Sequence, residues 1–364
     1  MDTRFLGQFL LLGLPGPELD RATQRVVQDL QPGGFILFSR NIEDTRQVRE
    51  FTDTLRKLCT YEPIVCIDEE GGRVSRLGNL GVSTPSPATL AAAGDPGFIT
   101  MHARVSSSLL RLLGINLNLA PVLDFSLGSD EADGTLRQRC WGDESQAVIG
   151  HAHVLISEIQ KNGVLACAKH FPTYTGARVD PHDDLPSIKG DLASMNSACA
   201  APYLALADQL AAVMTAHVLL PDIPETAGQP ASLSPAIVNG FLRNQLGFDG
   251  LVMTDDLDMG AIRNRRGLPE AAAEAILAGN DLAMICHHPE ESFAVRERLG
   301  KLPHAVLEDA LLRIEKFRKR MPKPIAFRQD RWDAAIKEAA ELVEEVAGHS
   351  SGDTPSGFSA VETY

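Results

Sequence analysis

Short apolar runs recur along the chain, and each is followed by a stretch whose apolar residues fall at helical spacing. The runs are residues 8–14 (QFLLLGL), 34–39 (GFILFS), 63–68 (PIVCID), 115–124 (INLNLAPVLD), 164–170 (VLACAKH), 211–218 (AAVMTAHV), 251–254 (LVMT) and 282–286 (LAMIC). Runs this short and this uniformly apolar read as strands buried on both faces. Between them the spacing predicts helices over 18–30, 44–58, 97–113, 145–162, 191–210 (despite Pro202) and 269–278, with another from 290 onward. Ser234 followed by Pro235 marks a helix start, an N-cap with proline at the first helical position.

Eight strands alternating with helices over about 300 residues predict an α/β fold of the (β/α)₈ TIM-barrel type. A doubly wound open sheet is the alternative, because periodicity does not show closure. The expected organisation is a barrel over 1–322, a helical extension over 323–347 with helices at 305–319 and 330–346 beside the join, and a disordered Ser/Gly/Thr/Pro-rich tail over 348–364.

Composition narrows the partners. With 44% hydrophobic residues in 364, the chain can fill a large core, and a formal charge of −14 argues against nucleic acid or an anionic membrane surface as partner. Six cysteines are scattered without a CxxC pair, as expected of reduced core thiols. The apolar piece at 9–14 lacks a basic flank and a small-residue cleavage site, so a strand is expected there, and a soluble, cytoplasmic protein.

Polar residues concentrate where the strands end. The third strand runs into Asp68-Glu69-Glu70-Gly71-Gly72-Arg73, with Arg76 beyond; the fourth ends near Asp124; the fifth supplies Lys169 and His170; the sixth supplies His217; the seventh ends in Thr254-Asp255-Asp256. In a barrel these positions converge on one mouth, where such enzymes carry their chemistry. In Asp180-Pro181-His182, side chains two apart in extended chain project to the same side, and Pro181 biases Asp180 toward extended backbone. A carboxylate beside an imidazole fixes its tautomer and raises its basicity, which suits general acid/base work.

The segments IDEEGGRVSRL, KHFP, the DPH triplet and MTDDLDM, with the opening GQFLLLGLPG and the NLAPVLD strand, together resemble family 3 glycoside hydrolases, specifically the single-domain β-N-acetylglucosaminidases. The resemblance implies Asp255 as nucleophile and Asp180 with His182 as the acid/base dyad. It implies sugar contacts for Asp68, Arg76, Lys169 and His170, and for Arg139. By the same resemblance the substrate is a small carbohydrate, an N-acetylglucosaminide or muropeptide of cytoplasmic peptidoglycan recycling, and no cofactor or metal is expected. Asp256 and Asp258 read as a helix N-cap and a solvated carboxylate.

The chain departs from the family pattern at Thr173-Tyr174-Thr175, where Gly-His-Gly is usual, and at Pro181, where Ser is usual. These changes bear on loop movement and aglycone preference. Because a neutral histidine does not repel an anionic acceptor, phosphorolysis is an alternative outcome, as is a β-glucosidase specificity. Two other classes are a metal-dependent hydrolase using His170, His182, His217 and Asp255, which no HxH or HExxH spacing supports, and a non-catalytic sugar-binding barrel.

Overall fold

The computed structural model describes residues 3–191 and 199–349. All eight strands form: β1 Leu10–Gly13, β2 Gly34–Leu37, β3 Ile64–Ile67, β4 Leu117–Asn118, β5 Leu165–Phe171, β6 Ala212–Thr215, β7 Leu251–Asp256 and β8 Leu282–Ile285. They pair in parallel and close into a barrel, since Leu11 of β1 faces Met284 of β8 on one side and Gly34 of β2 on the other. The open-sheet alternative is thereby removed. The strands are buried almost throughout because side chains fill the barrel on one face and helices cover the other.

The fourth strand is far shorter than its apolar run. Pro121 has no N–H to give a ladder, and side-chain amides take over part of the pairing. Asn116 accepts from the Val65 amide at 2.9 Å and donates to the Pro63 carbonyl at 3.1 Å, while Asn118 does the same for Glu69 at 3.1 and 2.8 Å. The seventh strand is longer than its run and carries Asp255 and Asp256 on its last two positions. Just past β3, Glu69–Gly71 and Val74–Ser75 form a small antiparallel hairpin.

Most helices lie where the spacing puts them. Thr45–Leu58 is capped by Asp44, whose carboxylate accepts from the Arg46 and Gln47 amides, and Pro96–Leu112 and Ser145–Lys161 follow their forecasts closely. Two expectations need correction. The helix forecast over 191–210 is represented by Ala201–Leu206, residues 192–198 lying outside the described part. The segment after Pro235 winds as a π-helix over Ala236–Gln245, and Ser234 does not cap it with its side chain, its hydroxyl being buried without a partner.

The last helix, Gln329–His349, lies along Pro96–Leu112 of the barrel's own outer layer. Trp332, Ala335, Ala339, Leu342 and Val346 form its buried stripe, and Arg104 pairs with Glu338 beside it. Gly348 and His349 are still helical, and the rest of the expected disordered tail lies outside the described residues. All six cysteines are free.

Candidate active site

At the C-terminal mouth of the barrel, Asp68, Arg76, Arg139, Lys169, His170, His182 and Asp255 line one cleft, about 740 Å³ of space open to solvent. Asp180 stands behind His182. The eight residues for which the resemblance implies a role are thus brought together by strands β5 and β7 and the loops after β3, β4 and β5.

One wall is a buried chain of alternating charge. Lys169 Nζ donates to Asp68 Oδ1 at 2.6 Å and lies 2.7 Å from Glu70 Oε1. Arg139 grips Glu70 in a two-pronged pair at 2.8 and 2.9 Å, and Arg76 reaches Asp68 at 3.5 Å. Burial alone would push Glu70 up, but the charges of Arg139 and Lys169 outweigh it and hold its carboxyl well below the usual range. Asp68 is likewise held down against its burial by Lys169 and Arg76. Glu70 sits at the centre of this wall, yet nothing in the IDEEGGR run separates it from Glu69. Glu69 instead points at the hairpin, accepting from Ser75 Oγ and the Arg76 amide at 3.0 Å, and burial lifts its carboxyl to about 7.

A second buried carboxylate, Asp124, organises the exit of β5. It accepts from the His170 amide (3.1 Å), His170 Nδ1 (2.8 Å), Thr173 Oγ1 (2.8 Å) and the Tyr174 amide (2.6 Å). Burial disfavours its charged form, but these donors, His170 foremost, keep the carboxyl below its ordinary value. Its role is to set the His170 ring and the start of the following loop.

That loop carries the DPH triplet. His182 Nδ1 lies 2.6 Å from Asp180 Oδ1, and the His182 amide donates to the same oxygen at 2.9 Å, so the two side chains meet as the spacing suggested. Burial lowers the imidazole pKa, but the bond to Asp180 and its charge more than reverse this and raise it above 6.5. The loop is seated over the mouth. The Gly260 amide donates to the His182 carbonyl at 2.9 Å, the Ala261 amide to the Pro181 carbonyl at 3.0 Å, and Asn264 Nδ2 to the Asp183 carbonyl at 3.0 Å. These donors belong to the segment just past β7, so the dyad is docked onto the neighbourhood of Asp255. Gly260 was not singled out in the sequence; only its tight packing in the folded chain reveals it.

Asp255 is held at both oxygens. Oδ1 accepts from the Asp256 amide at 2.9 Å, and Tyr174 Oη lies 3.0 Å from Oδ2. Burial would raise its pKa, but His170 and His217 nearby, together with the Asp256 amide, leave it below the ordinary carboxyl value. Tyr174 therefore does more than lie near the mouth: it is buried against the proposed nucleophile.

Three strand-end residues turn out differently. His217 is buried with Nδ1 2.7 Å from Ser232 Oγ and Nε2 3.0 Å from the Asp256 carbonyl, so its ring is spent on tying the exit of β6 to the turn Ala231–Leu233 and to the end of β7. Among the described residues no three His, Cys, Asp or Glu side chains are grouped as a metal-ligand set. Asp256 caps no helix, since the helix Gly260–Arg263 has Met259 at its N-cap. Its carboxylate instead accepts from the Asp258 and Cys286 amides at 3.0 and 3.1 Å, and burial, with Asp258 close by, pushes it up to about 7. Asp258 is not simply solvated either: it accepts from the His287 and His288 amides at 2.7 and 3.2 Å, tying the loop after β8 to that after β7.

The family model described as the glycosyl hydrolase family 3 N-terminal domain matches residues 6–317. A beta-hexosaminidase from Alkalilimnicola ehrlichii is 32% identical over 312 residues, 84% of this chain and 88% of the relative. One from Thiobacillus denitrificans is 33% identical over 297 residues, covering 80% and 81%. Among solved structures, a family 3 β-N-acetylglucosaminidase from Paenibacillus sp. superposes with a TM-score of 0.86 at 30% identity over 97% of this chain and 70% of that one. NagZ from Neisseria gonorrhoeae gives 0.79 at 27% identity over 92% and 97%. With the closed barrel and the cleft at its C-terminal mouth, these matches establish that the chain belongs to glycosyl hydrolase family 3 and is a glycoside hydrolase.

Proposed function

We propose that the protein is a retaining β-N-acetylglucosaminidase that removes terminal N-acetylglucosamine from peptidoglycan fragments in the cytoplasm. The observation that carries this reading is the docking of the Asp180/His182 pair onto the segment that follows Asp255, which brings a carboxylate–imidazole pair and a second carboxylate to one cleft, as a double displacement requires. The names of the relatives, beta-hexosaminidase and β-N-acetylglucosaminidase, supply the sugar. No helix among the described residues is long and apolar enough to cross a membrane.

In this reading Asp255 attacks the anomeric carbon while His182 protonates the departing oxygen, giving a covalent glycosyl-enzyme that water then hydrolyses. The electrostatics favour the required change of role. The charge of Asp255 is one of the influences that raise the His182 pKa. Esterifying Asp255 removes that charge, so the imidazole pKa falls and the ring is kept in the neutral form that a general base needs. Asp68, fixed by Lys169, is an acceptor for sugar hydroxyls; Arg76, Arg139, Lys169 and His170 provide donors.

The test is release of nitrophenol from p-nitrophenyl N-acetyl-β-glucosaminide by wild type and Asp255→Ala, with and without phosphate. The expected result is turnover by wild type, essentially none by the variant, and free N-acetylglucosamine as the product. Equal rates would refute the nucleophile assignment; sugar 1-phosphate as the main product would replace hydrolysis by phosphorolysis.

A further inference from the structure

Tyr174 is 3% exposed, and its ring rests on that of His170 with centroids 4.8 Å apart. Its amide is anchored to Asp124. Its hydroxyl accepts the His217 amide hydrogen at 2.8 Å and lies 3.0 Å from Asp255 Oδ2. The amide has a hydrogen to give and the carboxylate has none, so the single phenol proton is directed at Asp255. Burial and the nearby Asp255 charge keep that phenol protonated by pushing its pKa well above the ordinary value. Since the Asp256 amide serves Oδ1, the two Asp255 oxygens have separate donors, one in the loop after β5 and one at the end of β7.

We propose that Tyr174 is a positioning residue that aims Asp255 and makes it a better leaving group, so that it accelerates breakdown of the glycosyl-enzyme more than its formation. The proposal rests on the reading of Asp255 as nucleophile. In formation, an Asp255 oxygen bonds to the anomeric carbon, the bond to the leaving oxygen breaks, and His182 gives that oxygen its proton. In breakdown, a water oxygen bonds to the anomeric carbon and its proton passes to His182. The electron pair of the ester bond returns to Asp255. A donor already aimed at the carboxylate stabilises that returning charge, and in the first step it weakens the same carboxylate as a nucleophile. The tyrosine thus shifts the balance between the two steps.

The test uses Tyr174→Phe, which keeps the ring and deletes the donor, with the nitrophenyl substrate in rapid-mixing and steady-state experiments. The expected result is a fall in kcat of about a hundredfold, the lower end of what a lost transition-state donor costs, with the first turnover slowed by less than about threefold, so that a nitrophenol burst of one per enzyme appears. The acid limb of kcat/KM moves to higher pH, because the carboxylate loses a hydrogen bond to its charged form. An ortho-fluorinated tyrosine at 174, a stronger donor of nearly the same shape, shifts the balance the other way. First turnover and kcat falling together, with no movement of the acid limb, would overturn the proposal. A fluorinated N-acetylglucosaminide trapped on wild type separates the two readings. Label on the Asp255 peptide with no change of balance in the variant defeats the Tyr174 role alone, whereas label elsewhere defeats the nucleophile assignment as well.

Discussion

The Gly260 amide donates to the His182 carbonyl at 2.9 Å, and there is no room for a side chain at that junction. A β-carbon on Gly260 would lie 2.3 Å from the Asp183 carbonyl oxygen and 2.7 Å from that of His182, both main-chain atoms that cannot step aside singly. The loop bearing the acid/base thus sits directly on the backbone that follows the nucleophile. Gly260→Ala is expected to lift the loop and lower kcat/KM by about a hundredfold, the scale of an ångström's misplacement. The barrel itself should lose only about 1–3 kcal/mol. Steady-state kinetics beside a urea titration check this, and unchanged kcat/KM would show that the loop position is irrelevant.

The Asp180/His182 pair makes a prediction about pH. The general acid has to be protonated while Asp255 is ionised, so activity is present below the His182 pKa and lost as pH rises through it. Asp180 raises that pKa above 6.5 against the effect of burial. Asp180→Asn should therefore move the alkaline limb of kcat/KM to lower pH and cut the rate by about 10²–10⁴, the worth of a general acid. A limb that stays in place would take His182 out of the role.

Glu70 joins Lys169 and Arg139 in the buried wall of the cleft. Glu70→Gln leaves Arg139 without its carboxylate and Lys169 with Asp68 alone, and should cost about 3–5 kcal/mol at neutral pH, as breaking a buried pair does. The folded-state pKa of Glu70 is depressed, so its contribution is full above the unfolded value of 4.5 and fades as pH falls toward the folded one. The gap between wild type and variant in urea unfolding should narrow below pH 4.5. A gap that is constant with pH would mean that the carboxylate charge is not what stabilises the wall.

On the outside of the barrel, Leu342 is fully buried beneath the last helix. Leu342→Ala should destabilise the protein by about 2–5 kcal/mol and leave kcat of the folded fraction unchanged. Calorimetry and an assay well below the melting temperature would show both; an unchanged melting temperature would mean that the helix does not brace the barrel.

Much of the architecture was legible along the chain. An apolar run such as IVCI or LAMI, followed by a helical stretch, is a local property, and each of the eight runs overlaps a barrel strand. The strand ends were readable for the same reason, because the change from apolar to polar residues occurs within a few positions. The contact between Asp180 and His182 spans two residues and is set by the local backbone. What local pattern did not reach was any partnership made across the mouth. Closure depends on β1 meeting β8, Tyr174 finds Asp255 81 residues away, Lys169 finds Asp68 across 101, and Arg139 finds Glu70 across 69. By itself the sequence determined which side chains stand at strand ends and which pair can share a proton, since both follow from spacing and polarity. Only the tertiary structure decided which carboxylate each cation holds, that the loop sits on Gly260, and that a tyrosine faces the proposed nucleophile, because those choices depend on distances set when the barrel closes.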